Sequence, residues 1–546
     1  MIATSARAGE ASERHLASYE RQCMLGRMQE ARRALLDALA GAPEAEWLAL
    51  ARALVLRSDI ETAHFVLSAA AVAHPVSVDV RYALAGILQQ QGEPAAAEVL
   101  LHALLAEDPA HAAATFLLAG LLSQQGRLHA AADALCELFR HAAQDVDTVI
   151  RAVEMLDDIQ RVTDAAAICE NHIAAGCTDP RIHAYAGMLS NKLGQFERAR
   201  KRYAFALAHS PQAVEWNIPI GLSSLQRYHH GGHADFQLFR DVLEQPGLSE
   251  NARITTLFAL GKACDDVADY AQAAHCLRQA NALAHARSTW SRKRWRRIVE
   301  ARLTAKPLPF RLAAPDGWTP LFIVGVPRSG STLLAELLGR HPLICNRGEL
   351  GGMATLARRL ETVDTRSPLA FEQAAATYAA QLRQDDSNAH WFIDKQPLNL
   401  LHVDLILTLW PNARIVHCRR SPRDTALSLW SQSFHDRAHD YACDFDDIAA
   451  LIQGCERLHV HSCAHHDQSI RTVPYAELIT DPGCCLNELL RWLGLPEYDL
   501  LSATSPEHAI STASAWQARQ PVYPHSLARW RLYAPHVPEL LSFPDK

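Results

Sequence analysis

The chain of 546 residues is 49% hydrophobic and 21% charged, with a formal net charge of −7. This composition is ordinary for a soluble globular protein of several domains, and the negative charge gives no support for nucleic-acid binding. No stretch approaches about 18 consecutive apolar residues, and the N-terminal residues lack the segments of a secretory signal, so we expect no membrane span. Thirteen cysteines without regular spacing favour reduced thiols and a cytoplasmic location.

The N-terminal half of the chain contains an internal repeat. Gly92 and Gly126 lie 34 residues apart, and Gly194 lies twice that distance further on. Alanine follows these glycines, and also Gly26, after five positions, and proline follows three of the four after seventeen. The matching residues are Ala31, Ala97, Ala131 and Ala199, with Pro43, Pro109 and Pro211. Because alanine lets two helices approach closely and proline ends the second one, each unit is predicted to be a helix–turn–helix.

The 34-residue period resembles the tetratricopeptide repeat. We count six to seven units over residues 10–302, with a degenerate one near residues 212–245. The resemblance implies an all-α solenoid on which a peptide or protein docks, as acceptor or partner, and a plain scaffold is the alternative. Residues 303–320 contain four prolines and lose the helical periodicity. We therefore place a linker at residues 303–317 and a second domain at residues 318–546.

Residues 322–334, FIVGVPRSGSTLL, follow the phosphate-loop pattern G-x-x-x-x-G-K-[ST], except that Ser331 occupies the position of the lysine. An apolar run before the loop predicts a strand, and a periodic stretch after it predicts a helix whose N-terminus faces an anion. In nucleotide triphosphatases the lysine reaches the β- and γ-phosphates, so a loop that holds Arg328 instead suits a different phosphate group. A P-loop kinase or triphosphatase remains an alternative, although no acidic strand end of the Walker-B type is clear.

A second strand is predicted at residues 414–418, followed by Arg419, Arg420 and Arg423 and by a helix that begins near Pro422. Ser428 lies eight residues after Arg420, about two helical turns onward. Strands that alternate with helices, with ligand groups at the strand ends, indicate an open parallel α/β sheet. The predicted fold is therefore an all-α solenoid followed by a P-loop-like α/β domain with a central parallel sheet.

Several segments of the second domain resemble sulfotransferases. GVPRSGSTLL resembles their 5′-phosphosulfate loop, and RRSPRDTALSLW resembles their 3′-phosphate segment. The likeness continues in WFIDKQPLNLLHVDLILTLWPNARIVHC, in VPYAELITDPGCCLNELLRWLGLP and in STASAWQARQPVYPHSLARWRLY. This order, after a repeat array, is similar to bacterial tetratricopeptide-repeat-containing sulfotransferases, whose catalytic domain is similar to protein-tyrosine sulfotransferases. The resemblance implies 3′-phosphoadenosine 5′-phosphosulfate as co-substrate and no metal.

The same resemblance implies which residues bind the co-substrate. The ligands of the 5′-phosphosulfate would be Pro327, Arg328, Ser329, Gly330, Ser331 and Thr332. Arg420 and Ser428 match ligands of the 3′-phosphate, and Tyr475 matches a tyrosine near the nucleotide. Arg529 matches a basic residue of the C-terminal tail that approaches the 3′-phosphate.

Sulfuryl transfer needs a base for the acceptor hydroxyl and positive charge where the leaving oxygen gains negative charge. By resemblance, Glu349 in CNRGELGG is the general base, and Lys395 in DKQPLN stabilises the leaving group. Arg328 and Ser514 match residues with related catalytic roles. The expected reaction transfers a sulfuryl group to an acceptor hydroxyl, with protein tyrosine as the candidate acceptor.

Two positions depart from the family pattern. Ser421 stands where the family's R-D-P has an acid, and Ala476 stands where its Y-E-x-L has a glutamate. A repeat scaffold with a relict catalytic domain therefore remains an alternative. Cysteines and histidines recur on one predicted helix at near-helical spacing, but four ligands spread over about 16 Å cannot meet at one ion, and we predict no metal site. These four residues are Cys455, His459, Cys463 and His466.

Overall fold

The computed structural model describes residues 2–141, 143–364, 367–384, 387–434, 436–503 and 527–545. The chain forms two compact units, Met1–Ala152 and Val153–Lys546. Within the described ranges, no helix combines the length and the apolar character needed to cross a membrane.

The first unit consists of helices connected by short turns. They are α1 (Ile2–Met24), α2 (Met28–Leu39), α3 (Glu44–Leu56), α4 (Ile60–Ala73), α5 (Val78–Gln90), α6 (Pro94–Glu107), α7 (Ala112–Gln124), α8 (Leu128–His141) and the start of α9 (Val146–Asp158). Gly92 and Gly126 have φ values of 80°, the left-handed conformation that ends a helix and that glycine adopts without strain. The repeated alanines Ala97 and Ala131 are fully buried where paired helices meet. The small residues thus allow the helix contacts that the repeat predicts.

The second unit begins with further helices of the same kind. They are α10 (Val162–Ala174), α11 (Pro180–Lys192), α12 (Phe196–His209), α13 (Ile218–Ser223), α14 (Ala234–Glu244), α15 (Glu250–Asp266), α16 (Tyr270–Ala286) and α17 (Arg292–Leu303). Residues 211–233, in the region predicted to be degenerate, hold only a short 3-10 helix and the six-residue α13. Regular packing resumes with α15 and α16, whose N-termini are capped by the side chains of Ser249 and Asp269.

A sheet of five parallel strands follows. The strands are β1 (Thr319–Gly325), β2 (Ile344–Asn346), β3 (Trp391–Asp394), β4 (Arg414–Arg419) and β5 (Ile470–Pro474), in the order β2-β3-β1-β4-β5. The helices of this region are α18 (Ser331–Leu338), α19 (Gly352–Leu360), α20 (Leu369–Arg383), α21 (Val403–Leu409), α22 (Pro422–Trp430), α23 (Phe445–His466), α24 (Tyr475–Thr480), α25 (Pro482–Leu493) and α26 (Trp530–Tyr533).

Helices cover both faces of this sheet. Alternate residues of β1 belong to two different buried clusters, Leu321 and Ile323 to one, Phe322 and Val324 to the other. A strand that is buried on both faces is typical of parallel sheets, whose crossover helices lie on each side. The all-α region followed by a parallel α/β region confirms the predicted fold class.

The last helices before the sheet share its core. The ring of Trp295 on α17 packs against Gly454 on α23, where a Cβ atom would overlap the indole. The indole N–H of Trp295 donates to the carbonyl of Ala450 at 2.9 Å. On α16 the Asn281 side chain donates to the carbonyl of Trp430 at 2.9 Å. Helices α16 and α17 are therefore built into the same packed body as the sheet.

Candidate active site

The carboxyl ends of all five strands carry predicted site residues. The loop that begins with Pro327 follows β1, and Lys395 directly follows β3. Glu349 comes three residues after β2, and Arg420 and Tyr475 directly follow β4 and β5. Because the strands are parallel, these ends lie along one edge of the sheet, which is where open α/β folds bind ligands.

The loop after β1 has the geometry of an anion site. Gly330 has a φ of 101° and a Cβ there would overlap the ring of Tyr475, so only glycine fits. Ser331 and Thr332 then begin α18, with their backbone N–H groups at the helix N-terminus. Ser329 is 1% exposed, and its Oγ has no hydrogen-bond partner among the described residues. A buried hydroxyl of this kind is costly to leave unsatisfied, and an oxyanion in the loop would supply its partner.

Four of the predicted ligands meet beside this loop. The Arg328 Nε donates to the Ser428 Oγ at 3.2 Å, and Arg420 donates to the carbonyl of Arg328 at 3.2 Å. Arg328 has a φ of 71°, an uncommon conformation for a residue with a side chain, and its carbonyl in this conformation accepts from Arg420. The Arg420 guanidinium lies 4.7 Å from the centre of the Tyr475 ring. The ends of β1, β4 and β5 thus form one cationic cluster.

Glu349 and Lys395 are in direct contact at the other side of the loop. The Lys395 Nζ donates to the Glu349 carboxylate, and the lysine side chain is 2% exposed while that of Glu349 is 38% exposed. The backbone N–H of Lys395 also donates to the carbonyl of Gly348 at 2.8 Å. A buried ammonium needs a charged partner, and this one has the predicted base as its partner.

A buried carboxylate that the sequence did not single out supports this pair. Asp394, which precedes Lys395, is fully buried and accepts from the Tyr378 hydroxyl, from the Asn399 amide at 2.5 Å and from the Leu350 N–H at 3.2 Å. The last of these bonds fixes the backbone next to Glu349. Burial raises the pKa of Asp394 to about 7, against hydrogen bonds that lower it. The only sequence signal for this role is its position at the end of a strand, next to Lys395.

The loop that carries Glu349 is held from its other side as well. Glu336 on α18 accepts from the Asn346 side-chain amide at 2.9 Å, and the Asn346 Oδ1 accepts from the Gly348 N–H at 3.0 Å. The backbone N–H of Arg347 donates to the carbonyl of Ile393 at 3.0 Å. Helix α18 and strand β3 therefore both fix the short segment between β2 and Glu349.

Two further predicted residues, Ser514 and Arg529, belong to the C-terminal part of the chain. Ser514 lies outside the described residues. Arg529 donates to the carboxylate of Asp265 on α15, while the neighbouring Ala528 and Trp530 N–H groups donate to Asp424 at 2.8 and 3.1 Å. Arg529 is therefore next to the first turn of α22, without a direct contact to the loop after β1. Its role remains a prediction.

Two of the histidines of α23 contact residues of other elements. The His459 ring stacks on His417 of β4 with centroids 3.6 Å apart, and His466 pairs with Asp404 at 2.7 Å. In the part of the chain that the structure describes, no group of three or more His, Cys, Asp or Glu side chains is arranged to hold a metal ion.

Comparisons with known proteins match both parts of the chain. Residues 320–499 match the model of the sulfotransferase family, and residues 88–156 match a tetratricopeptide repeat model. Among solved structures, the sulfotransferase domain of the Synechococcus PCC 7002 olefin synthase is 19% identical to this chain, with a TM-score of 0.30. The aligned region covers 42% of this chain and 98% of that domain.

Two curated relatives also match this chain. An uncharacterized protein of Aquifex aeolicus (strain VF5) is 25% identical over 390 residues, which are 66% of this chain and 50% of that protein. Protein-tyrosine sulfotransferase 1 of Danio rerio is 23% identical over 233 residues, 38% of this chain and 65% of that protein. The chain thus spans about half to two thirds of the length of these relatives. As the sequence patterns predicted, residues 320–499 match the sulfotransferase family, in a chain that also matches the tetratricopeptide repeat.

Proposed function

We propose that this domain transfers a sulfuryl group from 3′-phosphoadenosine 5′-phosphosulfate to an acceptor hydroxyl. The proposal is carried by one observation, that two groups of residues lie at the same edge of the sheet. The first is the cationic cluster of Arg328, Arg420 and Ser428 beside a loop with an unsatisfied hydroxyl, and the second is the Glu349–Lys395 pair. The first suits a ligand with separate anionic groups, and the second suits proton transfer coupled to charge stabilisation.

The co-substrate would be held by residues from three strand ends. The backbone N–H groups of the loop and the hydroxyl of Ser329 would bind the 5′-phosphosulfate, and Arg420 with Ser428 would bind the 3′-phosphate. The ring of Tyr475 packs on Gly330 and against Arg420, and so keeps these two groups at a fixed separation. No metal is required, because arginine supplies the positive charge that Mg²⁺ supplies in triphosphatases.

The Glu349–Lys395 contact suggests how proton transfer from the acceptor is coupled to stabilisation of the leaving oxygen. Glu349 takes the proton of the acceptor hydroxyl while the acceptor oxygen bonds to sulfur, and the bond from sulfur to the bridging oxygen breaks to leave adenosine 3′,5′-bisphosphate. Once protonated, Glu349 no longer balances the charge of Lys395. The ammonium is then available to the bridging oxygen as that oxygen becomes negative, so base and leaving-group stabiliser act in one event.

The acceptor that we propose is a tyrosine of a protein or peptide. Its support is the likeness to a protein-tyrosine sulfotransferase and the presence of repeats of a kind that binds proteins. A screen of protein, peptide, sugar and lipid acceptors with labelled donor tests this part separately. Transfer to a sugar or lipid alone would contradict the tyrosine acceptor and leave the sulfotransferase proposal intact.

Calorimetry with adenosine 3′,5′-bisphosphate tests the donor site. We expect Arg420→Ala to weaken binding by about 2 kcal/mol, or about thirtyfold, because it removes a charge-assisted contact. Arg419→Ala is the matched control, since Arg419 pairs with Glu456 at 3.1 Å and its side chain is 55% exposed. If the intact protein does not bind the bisphosphate, the proposal is wrong.

Single-turnover transfer assays test the catalytic pair. Glu349→Gln and Lys395→Ala should each slow transfer at least a hundredfold while bisphosphate affinity changes little. Transfer that is unchanged in both variants would contradict these catalytic roles, and bisphosphate binding without any transfer by the unaltered protein would favour the scaffold with a relict domain.

A further inference from the structure

The end of the repeat region is joined to the C-terminal tail through one carboxylate. Asp265, near the end of α15, accepts from Arg529 with one oxygen and from the Tyr533 hydroxyl with the other, the latter at 2.6 Å. Tyr533 is fully buried, and its ring meets Tyr270 of α16 edge-on with centroids 5.3 Å apart. The α15–α16 hairpin therefore holds the tail with both a charge and an aromatic contact.

The tail segment held in this way lies beside the proposed donor site. Asp424 in the first turn of α22 accepts from the N–H groups on both sides of Arg529, at 2.8 and 3.1 Å. Ser428 is four residues further along α22, so it lies on the same face of the helix as Asp424, about 6 Å away. Ser428 also accepts from Arg328. The backbone at Arg529 is thus about one helical turn from the cationic cluster.

The Arg529 guanidinium has donors to spare in this position. It has five N–H groups, and among the described residues one of its terminal nitrogens has a partner, which is Asp265. The side chain is 27% exposed. Burial disfavours its charge, but the neighbouring Asp265 carboxylate outweighs this and raises the pKa of Arg529. The group therefore remains a cation, on a side chain that is partly exposed.

We propose that Asp265 is a positioning residue of the donor site: it fixes the guanidinium of Arg529, whose neighbouring backbone N–H groups bind Asp424 of α22, so that Arg529 binds the 3′-phosphate of the nucleotide. This inference rests on the proposed function. It makes the last helical hairpin of the repeat region a structural part of the nucleotide site. By linkage, nucleotide binding then stabilises the contact between α15 and the tail, and loss of this contact weakens nucleotide binding by the same free energy.

A double-mutant cycle measured by calorimetry tests the proposal. The proteins are the full chain, Asp265→Asn, Arg529→Ala and the double variant, and the ligands are adenosine 3′,5′-bisphosphate and adenosine 5′-phosphate. We expect Asp265→Asn to weaken the bisphosphate about tenfold and the monophosphate less than twofold. In the Arg529→Ala background the Asp265 substitution should have no further effect, because the group that it positions is gone. A purely structural role would weaken both ligands in both backgrounds.

A second ion pair of the same hairpin provides the matched control. Arg278 on α16 pairs with Glu539 of the tail at 2.7 Å, so Glu539→Gln removes a hairpin–tail contact away from Arg529. Its bisphosphate affinity should equal that of the unaltered protein. If Asp265→Asn does not fold, hydrogen exchange on the unaltered protein gives the answer. The bisphosphate should slow exchange in the segment around Asp265 and in residues 529–533, and leave α14 unchanged.

The possible failures are distinguishable. If the unaltered protein does not bind the bisphosphate, the proposed function is wrong and this inference falls with it. If the unaltered protein binds and Asp265→Asn binds equally or more tightly, or if both ligands weaken to the same degree, only the positioning role of Asp265 is wrong. Exchange that is unaffected around Asp265 when the bisphosphate is bound would also overturn it.

Discussion

Replacing the buried carboxylate of Asp394 by an amide should change how stability depends on pH. Asp394 is fully buried, and burial raises its pKa to about 7. Between about pH 4 and pH 7 the folded protein therefore keeps a proton that the unfolded chain has already released. Raising the pH through this window favours the unfolded chain, so the wild-type protein loses stability as the pH rises toward 7. Asp394→Asn has the shape of the protonated acid and does not titrate.

The size of the effect follows from the displacement of the pKa. Three pH units correspond to about 4 kcal/mol, of which about 3 kcal/mol falls between pH 5 and pH 8. The change in Tm equals the change in free energy divided by the entropy of unfolding, and that entropy grows with the number of residues. For the second unit, residues 153–546, it gives about 1 °C in Tm per kcal/mol. The Tm of Asp394→Asn, measured relative to wild type, should therefore rise by about 3 °C from pH 5 to pH 8.

Scanning fluorimetry of both proteins at pH 5, 6, 7 and 8 measures this difference. Asp235→Asn is the matched control, because Asp235 is also buried. There the hydrogen bonds from Arg200 and Tyr228 outweigh burial and lower the pKa of the carboxyl. Its variant should be destabilised by the same amount at each pH. A Tm difference for Asp394→Asn that is constant over the range would refute the reasoning, since the carboxyl would then hold no extra proton in the fold.

Three further substitutions have defined outcomes. Gly330→Ala should weaken the binding of adenosine 3′,5′-bisphosphate at least tenfold in calorimetry, because the φ of 101° and the Tyr475 ring exclude a side chain. Gly483→Ala is the control, because the space around Gly483 is open. Ser428→Ala, which removes the acceptor of the Arg328 Nε, should weaken the binding of the bisphosphate about tenfold. Ser431→Ala at the end of α22 should leave the affinity unchanged, and equal affinities of the two variants would contradict the assignment of Ser428 to the binding site. His417→Leu should make the stability of the protein less sensitive to acid. Burial lowers the pKa of His417 to about 3, so the folded protein does not take up the proton that the unfolded chain accepts below about pH 6.5. Between pH 7 and pH 5 the free energy of unfolding of wild type should therefore fall by about 2 kcal/mol more than that of the variant. A parallel fall in Tm for the two proteins would count against this role of His417.

Local patterns predicted the parts of the site that are local in the chain. The loop from Gly325 to Thr332 is contiguous, and its spacing is enough to place a strand before it and a helix after it. The alanines of the repeat were predictable for the same reason, because the small residue and the turn that requires it are five positions apart. The family resemblance supplied Glu349 and Lys395, and the order of the strands, with β2 beside β3, explains why they touch.

The contacts that support these residues could not be read from the sequence. Tyr378 and Asp394 are 16 residues apart, and Asp265 and Arg529 are 264 apart. No periodic pattern connects such pairs, since each depends on how an entire helix packs against the sheet. The same holds for Asp424. In the sequence it is an ordinary acidic residue in the first turn of a helix, and only the fold shows that the C-terminal tail donates two hydrogen bonds to it. Sequence reasoning thus identified groups suited to chemistry, and packing determined which groups orient them.

The contact between Trp295 and Gly454 has a consequence for how this protein can be divided or recombined. The sequence loses its helical periodicity after residue 303, which makes that point an attractive place to begin an expression fragment or to exchange one catalytic module for another. A fragment that starts there would lack the indole that fills the groove over Gly454 and would expose the apolar surface beneath it. An exchanged module would need a residue without a side chain at the position of Gly454. A boundary placed before α17 would keep this contact, so the sheet is best exchanged together with the helix that precedes it.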